Sequence, residues 1–569
     1  MSIFNFDGVT PLGDVQSVDT ATVVIRVTEA MLLSKLQVNH LVVIRSSKVG
    51  RCLIGLVNKI VRKHGEEIDT DGETEVLTSD MVKVSLIGTY VEKLGEETDV
   101  FKRTLESVPE IASECFLMDE KVLSDFMQTI SNKNMKNIKK PLLIGNYTLS
   151  EDAEAWLDGN RLFQRHAVIV GSTGSGKSYT VANIVEQISN LQSANAVLFD
   201  IHGEYKPLIG DGIQYLKIAG PGDNIKDDVL FLPYWLLTYE EMLALMLDRS
   251  DNNAPNQAMI FSTAVIDKKK DFLQSIGKMS LINNITLDSP IPYSLADLLT
   301  FLSDKDVERV TGSSGRDKDG PLAGKLTRFI QRLSAKKSDK RLNFMFNDQN
   351  ELLSYDYMNV LCNRLMKPAE DGWAGVKIID FSEVPSDVLP LMVALMARII
   401  FYVQQWIDKD KLHPIALFCD EAHLYIPHDA SHGVTASSLD SFERIAKEGR
   451  KYGVGLVVIS QRPSEVNRTV LSQSGNFIAM RLTNADDQNV IKKLLPDSLG
   501  DFAELLPILD IGEALVVGDA SLLPSRIRVN KPTKKPDSNT LKFWEEWSKN
   551  GVVNNIDIAI ESLRKQAKN

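Results

Sequence analysis

The sequence predicts an α/β protein: a mostly parallel sheet covered by helices, preceded by a small β-barrel and carrying a helical insertion. Three observations predict it. From about residue 151 the apolar runs HAVIV, NAVLFD, VKIID, PIALFCD, GLVVIS, NFIAMRL and GEALVVG recur with helical stretches between them. Continuous apolar runs of this kind mark strands buried on both faces and joined by crossover helices. In the first hundred residues the segments TATVVIRV, HLVVIRS, RCLIGLVNKIVRK and DMVKVSLIGTYV follow one another with Gly and Asp-Gly turns, as in a small barrel or sandwich. The third observation is a strand that runs through a glycine-rich loop into a helix, AVIVGSTGSGKSYTVANIV.

Length and composition set the frame. A chain of 569 residues needs about two to four domains, since single cores stop growing well below that size. Its 43% hydrophobic and 25% charged residues are those of an ordinary globular protein. The net charge of −12 argues against a surface coated in nucleic acid but leaves room for a local basic channel. Four scattered cysteines, Cys52, Cys115, Cys362 and Cys419, show no metal-binding or disulfide spacing, which fits a reducing cytoplasm. The N-terminus MSIFNFDGVTPLGDV lacks the pattern of a signal peptide. The segment VLPLMVALMARIIFYVQQWI is long and apolar, but it carries Arg398 and two glutamines and lies between two strands. It reads as a buried helix, and no membrane association is expected.

Along the chain, residues 1–100 are expected to form the barrel. Residues 101–150 read as a helical connector ending in the strand-like PLLIGNYTLS. The core follows in two parts, 151–234 and 371–530, separated by an all-helical insertion over 235–370 that includes the loop TGSSGRDKDG. Residues 531–569 read as a Pro- and Lys-rich linker with a helical tail.

GSTGSGKS, residues 171–178, matches the phosphate-binding pattern G-x-x-x-x-G-K-[ST] without a mismatch. Gly171, Ser172, Thr173, Gly174, Ser175 and Gly176 would cradle phosphates with their backbone N–H groups. Lys177 would reach the β- and γ-phosphates, and the Ser178 hydroxyl would bind Mg²⁺. In PIALFCDEAHLYIP a buried strand ends in Asp420, placed to hold Mg²⁺ through water, and Glu421 follows, placed to polarise an attacking water. That pair favours hydrolysis over transfer to a substrate hydroxyl; an acidic pair capping the next helix is the alternative. In GLVVISQRPSEV, Gln461 stands just past a strand, where an amide can sense a γ-phosphate or orient the water, or merely stabilise a turn. DIHGEY offers Asp200, His202 and Glu204 as a link between this site and a moving part, with His202 reading equally as structural. SFERIAKEGRKYGVG sets Arg444, Lys447, Arg450 and Lys451 on or past a helix. In a ring, Arg450 is the candidate to stabilise a neighbour's γ-phosphate; a solvated basic helix end is the alternative.

Taken together, RHAVIVGSTGSGKS, DIHGEY, LPYWLLTYEEM, IALFCDEAH, EGRKYGVGLVVISQRPSEV, RLTNADDQ and GEALVVGDASLLPSRIRV resemble the HerA family of hexameric ATP-driven DNA translocases, relatives of the FtsK motors, and in particular its bacterial type. The resemblance runs from about residue 140 to 530. It implies a RecA-like ATPase core using ATP and Mg²⁺, and an N-terminal barrel like that family's. It further implies a homohexamer with nucleotide sites between subunits and double-stranded DNA in its channel. Family members work with a separate effector, an end-processing nuclease or, in antiphage systems, a nuclease-type or sirtuin-like protein. No second catalytic constellation is visible in this chain, so such an activity would come from another one. The DNA contact is less legible. KLTRFIQRLSAKKSDKRLNF sets Lys325, Arg328 and Arg332 at one-face spacing, but a solvated face is the commoner origin of that pattern. A ring scaffold whose ATP binding controls an effector without translocation stays open beside the motor. A coupling ATPase of a secretion machine is disfavoured by the lack of a membrane anchor.

Overall fold

The computed structural model describes residues 4–565 apart from 5, 7, 47, 49, 69–73, 92–99, 104, 106, 138–139, 312–315, 430–433, 539–540, 550 and 552–554. The chain forms two compact units. One comprises Met1–Ile184, Ser460–Ser464 and Leu471–Thr533, and the other Val185–Ile459, Glu465–Val470 and Lys534–Asn569.

The first unit begins with a barrel of β1 (Gly13–Asp19), β2 (Thr22–Val27), β3 (Leu41–Arg45), β4 (Arg51–Ile68), β5 (Thr74–Val91), β6 (Val100–Lys102) and β7 (Glu114–Leu117). They pair in the order β2-β1-β7-β3-β4-β5-β6, and a second pairing of β2 with β5 closes six of them into a ring. Alternation drives the closure. Val23 and Ile25, Val42 and Ile44, and Val82 and Val84 point inward at every second position and meet Leu12, Val15, Leu53, Val57 and Cys115. Each such side chain contributes about 1.5–3 kcal/mol of burial.

The barrel takes β6 and β7 from the stretch read above as a helical connector, so that reading is corrected here. β7 has four residues, too few to show a period, and its place between β1 and β3 is set by pairing alone. A helix does follow, Glu120–Asn137, and its Phe126 packs among Phe4, Tyr90 and Phe101. This unit also carries, with short helices between its strands, a sheet in the order Ala167–Val170, Asn476–Met480, Glu513–Gly518, Ser525–Val529, Leu142–Tyr147 and Ser150–Leu157. The first two strands are parallel, with Ala167 opposite Asn476, and the later pairings are antiparallel. Arg103, just past β6, donates to the carbonyl of Gly518 at 2.6 Å and so ties the barrel to this sheet.

The second unit carries parallel strands in the order Val229–Leu230, Ile213–Ile218, Val376–Asp380, Ala196–Asp200, Ile415–Cys419 and Val454–Ser460, the last of which ends in the first unit at Ser460. Ala196–Asp200 and Ile415–Cys419 are buried at every residue, as continuous apolar runs require. Between Val229–Leu230 and Val376–Asp380 lies the insertion, built on the helices Tyr239–Met246, Ala254–Ser275, Leu295–Asp306, Thr327–Ser338 and Tyr357–Met366. It is not all-helical as expected. Arg309–Thr311 and Asp317–Asp319 form a hairpin in which Arg309 faces Asp319. Three-residue strands leave no periodic signal, so the loop reading missed them.

Leu389–Trp406 is the one helix among the described residues long and apolar enough to cross a membrane, and 72% of that stretch is buried within the fold. Arg398, inside it, forms a two-pronged pair with Glu241, Nε to Oε1 at 2.9 Å and Nη2 to Oε2 at 2.8 Å.

Candidate active site

The phosphate loop links the strand Ala167–Val170 to the helix Lys177–Ser189. Gly174 and Gly176 adopt φ of +74° and +110°, a region that side chains avoid. Space adds a second constraint at Gly176, where a Cβ would lie 2.9 Å from Met480 Cε. The loop is braced from both sides. Gly171 N–H points to Ser460 O at 3.4 Å, and Ser172 N–H donates to Arg481 O at 2.8 Å. Thr483 N–H donates to Ser172 Oγ at 3.3 Å, and Gly512 N–H to Ser175 O at 2.9 Å. The cradle is therefore preformed. Its remaining N–H groups and the start of a 13-residue helix make a positive pocket suited to an anion. Lys177 is buried at that helix start and Ser178 half-buried beside it.

Gln461 joins this cluster. It follows the strand Val454–Ser460, and its Oε1 accepts from Thr173 Oγ1 at 2.5 Å. The sequence placed both residues on its list of candidates but offered no sign that they touch.

The second unit gathers the acids. Asp420 and Glu421 are buried at the end of Ile415–Cys419. Glu421 sits at φ 45°, ψ 44°, the left-handed region, at a cost of about 1–2 kcal/mol for a residue other than glycine. Such a backbone turns the chain out of the strand direction and into the turn Ala422–Leu424. Tyr425 Oη donates to Asp420 O at 2.7 Å, and His423 Nδ1 lies 3.3 Å from Glu421 Oε2. These two contacts escaped the sequence reading, though the spacing of DEAHLY held the signal: a tight turn folds the second residue after Glu421 back onto it.

Asp200 and Asp380 end neighbouring strands in register. Asp200 accepts the N–H groups of Gly203, Glu204 and Tyr205, so its first structural work is to fold the turn after DIHGEY begins. Burial lifts its pKa to about 7 against the lowering pull of the Tyr205 N–H, and repulsion by Asp420 and Asp380 adds to the rise. Asp380 accepts from Tyr215 Oη at 2.7 Å. His202 is exposed, while the Glu204 carbonyl accepts from Asp537 N–H and pins the C-terminal linker.

The four basic candidates separate. Arg444 lies over the rings of Tyr402 and Phe401 at 5.3 and 5.7 Å, and Lys447 pairs with Glu443 at 2.7 Å. Arg450 and Lys451, both in the turn Gly449–Tyr452, are exposed and have no ion pair among the described residues. The basic stretch of the insertion is largely compensated. Arg332 pairs with Asp248, Lys336 with Asp387, Lys337 with Asp348 and Arg341 with Asp339. Lys325 precedes the helix Thr327–Ser338 and donates to Pro321 O, so the one-face spacing does not describe a helix face at that end.

Residues 142–400 match the family model described as Helicase HerA, central domain, and residues 360–551 that of the Helicase HerA-like C-terminal domain. The DNA double-strand break repair helicase HerA of Pyrococcus furiosus is 25% identical over 460 residues, covering 74% of this chain and 76% of its own. That of Sulfurisphaera tokodaii is 27% identical over 406 residues, covering 70% and 72%. Among solved structures, VirB4 of Thermoanaerobacter pseudethanolicus superposes with a TM-score of 0.44 at 15% identity, covering 71% of this chain and 97% of its own.

Proposed function

From the premise that this chain belongs to the HerA helicase family, we propose that it is an ATP-hydrolysing motor that translocates on double-stranded DNA. The observation that carries the proposal is the preformed phosphate loop with Gln461 bonded to it. Gly171 and Gly176 pack too closely on Ser175, Met480 and Gly512 for a side chain and Gly174 turns at positive φ beside open space, a tight glycine loop of the kind that fits a polyphosphate. In this reading Lys177 neutralises the β- and γ-phosphates and Gln461 faces the γ-phosphate. Ser178 and Asp420 supply hard oxygen donors of the kind Mg²⁺ takes, and the metal when bound offsets charge on the phosphates. Glu421 draws a proton from the attacking water. Its buried setting and its left-handed backbone both restrict where that carboxylate can point.

The motor is proposed to act as a homohexamer in which Arg450 completes the neighbouring site. It would serve a separate effector, a nuclease or a sirtuin-like NAD-consuming protein, in antiphage defence or DNA-end processing. Four free thiols support a cytoplasmic setting. A ring scaffold that needs ATP binding but no translocation is the second reading. The compensated basic stretch of the insertion and the net charge of −12 favour it.

Two substitutions test the site. Lys177→Ala should weaken nucleotide affinity and abolish turnover. Glu421→Ala should bind ATP about as well as the parent while phosphate release falls by roughly a hundredfold or more, the usual worth of a general base. Nucleotide binding and phosphate release measured on both variants decide it. Retention of most turnover by Glu421→Ala would remove Glu421 from the mechanism.

A further inference from the structure

A glutamine carboxamide has two faces of opposite character on nearly the same shape: the oxygen accepts, and the NH₂ donates. A phosphate oxygen only accepts. Presented NH₂ first, the group attracts a γ-phosphate; presented oxygen first, it repels one. Whether Gln461 can recognise that phosphate therefore depends on what holds its oxygen.

Here the holder is Thr173, whose hydroxyl donates to Gln461 Oε1 at 2.5 Å. The two main chains are also pinned together. Gly171 N–H points to Ser460 O at 3.4 Å, which joins the loop to the residue before Gln461, and Arg462 N–H donates to Ser460 Oγ at 3.0 Å, which folds the Gln461 segment on itself. Thr173 itself is anchored through Ser172, whose N–H and Oγ are both engaged by the segment Arg481–Thr483. A hydroxyl on a fixed loop meets an amide on a fixed strand end.

Building on the nucleotide site proposed above, we infer that Thr173 is a positioning residue that sets the Gln461 carboxamide NH₂-first toward the γ-phosphate position. The pair thereby discriminates a nucleoside triphosphate from a diphosphate. The diphosphate lacks the oxygen that the NH₂ would meet, so its affinity is indifferent to the orientation of the amide.

Equilibrium binding of ADP and of a non-hydrolysable ATP analogue to the full chain tests this without any need for turnover. Thr173→Val keeps the shape and removes the donor. It should lower the ratio of analogue affinity to ADP affinity by about fivefold, the weight of one ordinary hydrogen bond. Thr173→Ser, which restores the hydroxyl, should bind both nucleotides like the parent. Gln461→Ala should show the same selective loss, and adding Thr173→Val to it should cost nothing more, because the threonine acts through the glutamine. Additive losses in the double variant would mean that Thr173 contacts the phosphate directly, and would overturn the inference. Equal weakening of ADP and analogue, or a serine variant as poor as valine, would also overturn it. Failure of the motor reading looks different: normal discrimination between the nucleotides with no DNA-stimulated phosphate release.

Discussion

Asp200 shows how much one side chain can carry. It ends a fully buried strand, yet three backbone N–H groups converge on it, and Asp420 and Asp380 repel it. Its folded pKa of about 7 stands above the ordinary 3.8. Between those values the folded chain keeps a proton that the unfolded chain has lost. Raising the pH through that window therefore removes stability, and below it the group's contribution is constant. Asn at this position is neutral at every pH and forfeits one acceptor, a fixed cost. In the metal- and nucleotide-free protein, the gap in melting temperature between parent and Asp200→Asn should shrink as pH rises from about 4 to about 7. Two melting curves that run parallel across that range would show that Asp200 is already ionised in the fold.

Among the elements, the helix Leu389–Trp406 is legible as a core helix because its apolar residues run all round it. What its one internal charge does is not legible. Arg398 finds Glu241 far away in sequence, and Glu241 also closes the capping box of the helix Tyr239–Met246 through Thr238. The pair thus joins a core helix to the first helix of the insertion. Removing one buried partner strands the other charge, at a cost of about 3–5 kcal/mol. Arg398→Met should lose that much stability in a denaturant titration. Combining it with Glu241→Gln, which retains an acceptor for the cap, should recover a large part. Full additivity of the two losses would mean that the pair is not coupled.

On the scale of the whole molecule, the exposed Arg450 has no ion pair among the described residues, whereas Arg444 and Lys447 are held by neighbours. Under the homohexamer proposal, Arg450→Ala should bind ATP and assemble normally but hydrolyse roughly a thousandfold more slowly, as expected for an arginine supplied in trans. Mixing it with Glu421→Ala subunits places intact glutamates beside intact arginines at some interfaces. Phosphate release above that of either variant alone is the expected result. No recovery from rings shown by native mass measurement to be mixed would return Arg450 to a solvent-facing role.

By itself the sequence determined the strand–loop–helix of the phosphate site, the buried strands that Asp420 and Gln461 follow, and the barrel preceding them. These features are local: a period of two, a continuous apolar run or a glycine spacing is complete within some ten residues. Tertiary structure alone decided that β7 belongs to the barrel, that Gly512 and Arg481 brace the phosphate loop, and that Thr173 holds Gln461. It also decided that Arg444 and Lys447 are held by neighbours while Arg450 and Lys451 are exposed with no ion pair among the described residues, and that Glu421 takes a left-handed backbone. Each of these depends on residues tens to hundreds of positions apart, or on a turn stabilised from outside its own segment. A propensity or a motif holds no record of partners that only folding brings within hydrogen-bonding distance.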